Sequence, residues 1–264
     1  MTPDLETQLA EALAAARRNG ETIDPAGLPE LRDTETAYRV QSRVTTLLDA
    51  PVVGYKVGST SKEAQSILGT DEPGAGVLLA PYLHVSPVRM EVVPAHMPAI
   101  EGEFAFRLGR DLSPRSAAFD REEVCAAIDG VTGAIEIVGT RIAGGLAGKG
   151  RYLVTADGGA NIGLAVGAWR SDWRTLDLPA HPVTVHINGV AKGRGTGARA
   201  LGDPVNVLIW LANHLARTGE GLRAGMVVST GTCTGLDAVG PGDRAVADFG
   251  TLGSVTIDFD VSPG

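Results

Sequence analysis

Residues 98–112 read PAIEGEFAFRLGRDL, and Glu101 and Glu103 stand two positions apart in an otherwise apolar run. A strand points successive side chains to opposite faces. Ile100, Gly102, Phe104 and Phe106 therefore share one face, while Glu101, Glu103, Ala105 and Arg107 share the other. Two carboxylates side by side repel unless they meet water, share a proton or hold a cation. The E-x-E spacing alone fits a solvated strand face as well as a site. A third acid adds weight: Glu136 lies inside AIEIVG, which reads as an interior strand, and a buried carboxylate is costly without a partner. Three glutamates from two strands, with no histidine or cysteine beside them in sequence, make an all-oxygen donor set. Such a set suits Mg²⁺, Mn²⁺ or Ca²⁺ better than Zn²⁺. It also leaves positions on the ion for water and a chelating substrate.

Lys56 is the next candidate. In PVVGYKVG, Val52, Gly54, Lys56 and Gly58 share one face of a predicted strand. A lone strand lysine can simply snorkel to water. Set between glycines on an interior strand, it can instead meet a substrate carboxylate or a developing enolate. STGTCTG, residues 229–235, is a glycine and hydroxyl loop after a predicted strand. Its backbone N–H groups and Thr230 or Thr232 could bind a carboxylate, although an ordinary turn reads the same way. GRGTG (193–197) and GGLAGKG (144–150) do not match a phosphate-binding loop, so nucleotide binding is not expected; the second is read as a loop near the site. The five histidines show neither i, i+4 spacing nor a nucleophile partner, and there is no GxSxG.

These residues need elements to place them. Thr2-Pro3 predicts a helix start, with Leu5, Leu9, Leu13 and Ala16 at helical spacing and Gly20 as the stop. A second helix follows Asp33, with Ala37, Val40, Val44, Leu47 and Leu48 as its stripe; both read as packing helices. TSKEAQSILG predicts a short helix with Thr60 and Glu63 spaced as a capping box and Gly69 as its end. Another helix runs from near Arg121 to AAIDG, and GAIEIVGTRI reads as a strand. PVTVHINGVAKGRG predicts a hairpin turning at Asn188-Gly189. DPVNVLIWLANHLARTG predicts a helix capped by Asp203, with Pro204 in its first turn and Gly219 beyond it, and Trp210 reads as core. MVVSTGT, DRAVADF and GSVTIDFDV read as closing strands. Strands with scattered helices predict an α+β fold rather than a regular βαβ alternation.

The composition narrows the class. The 264 residues suit one large domain, or one with a helical appendage, and 44% hydrophobic residues suffice for a sizeable core. The formal charge of -8 and the lack of a basic run argue against nucleic acid or an anionic membrane as partner. No apolar run has membrane-spanning length, and the early acidic residues do not resemble a signal peptide. Cys125 and Cys233 are isolated, which excludes a disulfide framework and a thiolate zinc site. The expected location is cytoplasmic.

Taken together, GYKVGSTSKEAQSILGTDEPGAGVL, AIEGEFAFRLGRDL, AIEIVGTRI, TADGGANIGLAVG, GTGARALGDPVNVLIWLANHLA and LRAGMVVSTGTCTG…PGD resemble the 2-keto-4-pentenoate hydratase family of the fumarylacetoacetate hydrolase superfamily. The resemblance runs through nearly the whole chain. It implies a mixed β-roll core with an N-terminal helical region over residues 1–50 and a catalytic domain over 51–264. It implies a divalent ion, Mg²⁺ or Mn²⁺, on Glu101, Glu103 and Glu136. Lys56 takes the place of the family's strand lysine, Asp157 that of its aspartate, and Thr230, Gly231 and Thr232 that of its TGT-like loop. The implied substrate is a small 2-oxo or 2-hydroxy-dienoic acid, and self-association into a homo-oligomer is implied as well.

The departures from the family pattern concern the reaction. DEPG stands where the family often has DEPD or DQPD, so Gly74 replaces an aspartate. ADGGA stands for ADNAS, so Gly158 replaces a polar residue, and a tryptophan usual after SRI is absent. The expected activity is hydration of a 2-hydroxy-2,4-dienoic acid, with Lys56 on the carboxylate or dienolate oxygen and Asp157, or a water it positions, in proton transfer. The rival readings are a 2-oxo acid decarboxylase, a tautomerase or a C–C hydrolase of the same superfamily, and a non-catalytic binding or assembly subunit.

Overall fold

The alternation along residues 98–112 sets the layering of the chain, obtained as a computed structural model that describes residues 3–260. The strands are β1 (Val52–Gly58), β2 (Gly74–Leu79), β3 (Leu83–Val85), β4 (Val88–Glu91), β5 (Ala99–Leu108), β6 (Ile128–Val138) and β7 (Asn161–Val166). The second half adds β8 (Pro182–Ile187), β9 (Val190–Thr196), β10 (Val227–Ser229), β11 (Asp237–Ala238), β12 (Arg244–Asp248) and β13 (Ser254–Asp260). They form two mixed sheets. One runs β2-β1-β10-β5-β6-β7-β3, with β11 also paired to β5; the other runs β4-β13-β12-β8-β9.

The even-numbered residues of β5 face the second sheet. Phe104 packs edge-on against Phe249 and His181, with ring centroids 5.7 and 5.8 Å apart. A Cβ on Gly102 would sit 2.9 Å from Val183, and one on Gly133 would sit 2.2 Å from Phe249. Small residues at these points let the sheets close on a core that includes Ile100, Phe106, Ile135 and Ile137. The odd-numbered face of β5 therefore turns away from this core, and the glutamates go with it.

The helices are α1 (Pro3–Asn19), α2 (Thr34–Leu48), α3 (Lys62–Leu68), α4 (Arg121–Ala127), α5 (Gly150–Ala156) and α6 (Pro204–Arg217). Asp33 and Asp203 cap α2 and α6 through their side chains as expected, and Trp210 is half-buried against the core, stacked on His214. The Asn188-Gly189 turn has positive φ at both residues, as a tight hairpin turn requires. The proposed cap at Thr2 lies outside the described residues. The capping box at Thr60 and Glu63 is corrected: Ser61 caps α3 by accepting from the Ala64 N–H at 3.1 Å. Glu63 turns instead to Arg199 at 2.5 Å. A one-residue change of phase is enough, because Ser caps at least as well as Thr and the chain direction decides between them. The helix from Arg121 also ends sooner than AAIDG, since β6 takes over at Ile128.

Helices α1 and α2 do more than pack. Leu9, Leu13, Val40 and Val44 bury against Ile142 and Ala156. The buried Gln41 amide donates to the carbonyls of Ala75 (3.1 Å) and Thr155 (2.6 Å). Arg17 reaches the carbonyls of Asn161 (2.9 Å) and Ile162 (3.3 Å) and lies over the Tyr82 ring. The pair thus fixes backbone on β2, α5 and β7. Among the described residues, no helix is long and apolar enough to cross a membrane.

Candidate metal centre and active site

The β5–β6 register places Glu101 directly opposite Glu136 and Glu103 opposite Ala134. One oxygen from each of the three carboxylates lies within 4.8 Å of the others. Glu103 and Glu136 are fully buried, and Glu101 is partly exposed. Like charges facing each other across a strand pair destabilise it, so the arrangement calls for a counter-charge.

The hydrogen bonds show where that charge belongs. Glu103 Oε2 accepts from the Ser229 hydroxyl and from the Gly231 N–H at 2.9 Å. Glu136 Oε1 accepts from Asn161 Nδ2 at 3.0 Å and lies 3.3 Å from Lys56 Nζ. The other oxygens, Glu103 Oε1 and Glu136 Oε2, are buried with no hydrogen-bond partner. Buried polar atoms are almost always satisfied. Two orphaned carboxylate oxygens in one all-oxygen cluster fit a hard divalent cation.

The electrostatics agree. Burial first, then the charge of Glu136, push the Glu101 carboxyl up to about 7. Burial, Glu136 and Glu101 hold Glu103 well above the carboxylate range. Burial pulls the Lys56 ammonium down, but Glu136, Glu101 and Glu103 outweigh it and leave its pKa raised. One ammonium thus answers three carboxylates, and the cluster stays short of positive charge.

Lys56 is threaded through a collar of glycines. A Cβ on Gly58 would sit 3.2 Å from its Nζ, and one on Gly76 or Gly159 would sit 3.1 Å from its Cδ. Gly158 and Gly159 have φ of 70° and 67°, and Ala160 follows at 64°. Consecutive left-handed residues are costly except at glycine. The ADGGA sequence therefore supplies a turn that passes Lys56 and delivers Asn161 to Glu136.

The STGTCTG loop binds a carboxylate, and that carboxylate is Glu103. Gly231 has φ of 84°, and a Cβ there would sit 2.0 Å from Thr60 Oγ1. The Thr230 hydroxyl donates to the Phe104 carbonyl at 2.9 Å. Thr232 Oγ1 accepts from the N–H groups of Thr234 (3.2 Å) and Gly235 (2.8 Å). Both threonines shape the loop.

Asp157 stands apart from the cluster. It accepts from Arg141 Nε at 2.6 Å, the Arg141 N–H at 3.0 Å and the Thr140 hydroxyl at 2.8 Å. Arg141 is almost fully buried and also bonds the carbonyls of Asn161 (3.1 Å) and Asp157 (2.5 Å). Both Asp157 oxygens are held by Arg141 and Thr140 rather than by the carboxylate cluster. Its partners place it under the turn that carries Asn161. Lys56 and Glu101 do reach a cavity of about 330 Å³, bordered further by Gly58, Gly74, Thr155 and Gly159, whereas Asp157, Thr230, Gly231 and Thr232 are not part of its lining.

Residues 51–259 match the model of the fumarylacetoacetate (FAA) hydrolase C-terminal family. The chain is 34% identical over 270 residues to a 2-keto-4-pentenoate hydratase of Paraburkholderia xenovorans (strain LB400), covering 98% of this chain and 97% of that protein. The chain belongs to the fumarylacetoacetate hydrolase family. It is also 32% identical over 264 residues to a 2-hydroxyhexa-2,4-dienoate hydratase of Comamonas testosteroni, covering 97% of each. Among family structures, 4-oxalocrotonate decarboxylase from Pseudomonas putida G7, complexed with magnesium and adipate, superposes with a TM-score of 0.89 at 28% identity over 98% of each chain.

Several residues at this candidate site escaped the sequence reading. Asn161 opens an apolar strand, NIGLAVG, and a lone amide there was the available signal. Arg141 likewise sits in an otherwise apolar IVGTRI run. Ser229 ends the VVS strand and opens the STGTCTG stretch, whose threonines rather than this serine carried the expected role. For Arg17 no local signal exists, because its partners are 144 and 145 residues away.

Proposed function

We propose that the chain is a divalent-metal-dependent hydratase acting on a 2-hydroxy-2,4-dienoic acid. The observation that carries this is the carboxylate cluster with two orphaned oxygens, joined through Glu101 and Lys56 to one cavity. Two hydratases at 32–34% identity over nearly the full length support the reaction class. Glu101, Glu103 and Glu136 would hold the ion, Mg²⁺ or Mn²⁺. When bound, the ion supplies Lewis-acid stabilisation of negative charge on the substrate's C1 carboxylate and C2 oxygen.

The chain's own residues do the remainder. Lys56 donates to the C2 oxygen or the C1 carboxylate and balances charge as the dienol becomes a 2-oxo-3-enoate. In that step the hydroxyl proton is lost from C2 and a proton is gained at C5. Water then adds its oxygen at C4 and a proton at C3. Ser229 and the Gly231 N–H orient Glu103, with Thr230 and Thr232 holding the loop, and Asn161 orients Glu136. Asp157 acts as a positioning residue through Arg141. Residues 1–50 serve as a helical appendage on a catalytic domain of residues 51–264, in a self-associating cytoplasmic enzyme.

The test is purified protein with Mg²⁺ and 2-hydroxypenta-2,4-dienoate, following loss of the dienol ultraviolet band and identifying the product by NMR. Chelator-sensitive formation of 4-hydroxy-2-oxopentanoate is expected. Glu103→Ala retaining both metal binding and turnover would refute the site. A second reading, 2-oxo acid decarboxylation, is favoured by the close superposition on 4-oxalocrotonate decarboxylase; release of CO₂ from a 2-oxohex-3-enedioate, where loss of the second carboxylate leaves charge conjugated to the C2 carbonyl, in a parallel assay would select it.

A further inference from the structure

The cavity at Lys56 and Glu101 extends well past the reacting end of a five-carbon acid. Its volume of about 330 Å³ falls within the roughly 300–1,000 Å³ of sites that enclose whole drug-sized ligands. Away from Lys56 and Glu101 the lining is dominated by Leu68, Val138, Leu146, Val154, Ala160 and Leu236. Leu236 is 56% exposed, a large apolar side chain left uncovered.

Gly74 opens this region. A Cβ built there would find only one atom within 4 Å, Thr155 Oγ1 at 3.8 Å, and the residue does not adopt a left-handed φ. A side chain is therefore sterically allowed at position 74, and glycine leaves the volume to a ligand. Charge in the lining beyond the reacting end is already neutralised: Arg151 Nη2 is 2.8 Å from Glu72 Oε1. A second substrate carboxylate would compete with Glu72 for Arg151, whereas an apolar chain against Leu68, Val154 and Leu236 requires no such exchange.

We infer that the substrate carries an uncharged apolar substituent at C5, of propyl to phenyl size, seated over Gly74. This rests on the 2-hydroxydienoate reading of the site. The test is kcat/KM with Mg²⁺ across 2-hydroxy-2,4-dienoates bearing hydrogen, methyl, propyl, phenyl or carboxylate at C5. In parallel, calorimetry measures binding of 2-oxobutanoate, 2-oxohexanoate and 2-oxooctanoate, which need no hydration.

Each buried methylene is expected to raise kcat/KM about fourfold, so propyl should exceed hydrogen by roughly sixtyfold, with the carboxylate analogue poorest. Gly74→Leu should cut the propyl-to-hydrogen ratio at least tenfold. If no dienoate turns over but 2-oxo acid affinity still climbs with length, and Gly74→Leu flattens that climb, the tail inference stands and the hydratase reading falls. Hydration of the unsubstituted dienoate with no gain for propyl overturns the inference and leaves the hydratase. A preference for the carboxylate analogue overturns it in favour of a diacid read by Arg151.

Discussion

Asn161→Ala removes one hydrogen bond from Glu136 and leaves every glutamate in place. The Asn161 side chain is 1% exposed, and its Nδ2 donates to Glu136 Oε1 at 3.0 Å. The contact that remains on that oxygen is Lys56 Nζ at 3.3 Å, so the carboxylate loses its shorter restraint and can turn Oε2 out of the cluster. The backbone path is untouched, because Arg17 and Arg141 grip the Asn161 carbonyl rather than its side chain. The substitution also removes the unpartnered Asn161 Oδ1, which offsets part of the cost to the fold. A hydrogen bond to a charged group contributes about 1.5–3 kcal/mol. At about 1.4 kcal/mol per decade that is roughly 10- to 150-fold in metal affinity, matching the 10- to 100-fold typical of groups that orient metal ligands. Free Mn²⁺ can be titrated by electron paramagnetic resonance, with the melting temperature of the metal-free protein taken alongside. We expect a dissociation constant at least tenfold weaker and a metal-free melting temperature within a few degrees of the parent. A dissociation constant within twofold of the parent would show that Asn161 orients nothing and that Glu136 is held by packing alone.

Three further outcomes are expected. Lys56→Met should lower kcat/KM by about 10²- to 10³-fold, the usual cost of one oxyanion donor, while Mn²⁺ affinity changes less than tenfold because the shorter Asn161 restraint on Glu136 stays in place; turnover within tenfold of the parent would remove Lys56 from the chemistry. Removing divalent ions with a chelator should lower the melting temperature: binding at a hundred times Kd stabilises by about 2.7 kcal/mol, or about 5–11 °C for a domain of this size. A melting curve indifferent to Mg²⁺ and Mn²⁺ would argue against the three-glutamate centre. Asp157→Asn breaks a buried ion pair and should cost about 3–5 kcal/mol of stability, seen as a lower urea midpoint, with the shape of the kcat–pH profile retained. Loss of one limb of that profile in a variant of normal stability would instead make Asp157 a proton carrier.

What could be seen in the sequence was local. Alternation along β5 predicted which side of the strand the two glutamates share, and the structure keeps Ile100, Phe104 and Phe106 in the core on the other side. Helix caps at Asp33 and Asp203 and the Asn188-Gly189 turn follow from contacts within a few residues, so they were readable as well. Where two local choices are nearly equal in energy, as between Thr60 and Ser61 for the cap of α3, the sequence could not choose. The orphaned Thr60 Oγ1 is instead buried against Gly231, more than 150 residues away.

The chain by itself determined the donor types, three carboxylates and a lysine among glycines, and through them the chemistry open to the site. It also carried enough pattern to resemble its family. Only the tertiary structure decided the register that sets Glu101 opposite Glu136, the orphaned oxygens of Glu103 and Glu136, and the withdrawal of Asp157 into a pair with Arg141. The reason is physical. Side-chain chemistry and strand periodicity are properties of neighbouring residues, whereas burial, pairing and the partner left over for each polar atom depend on which distant segments share the same few ångströms.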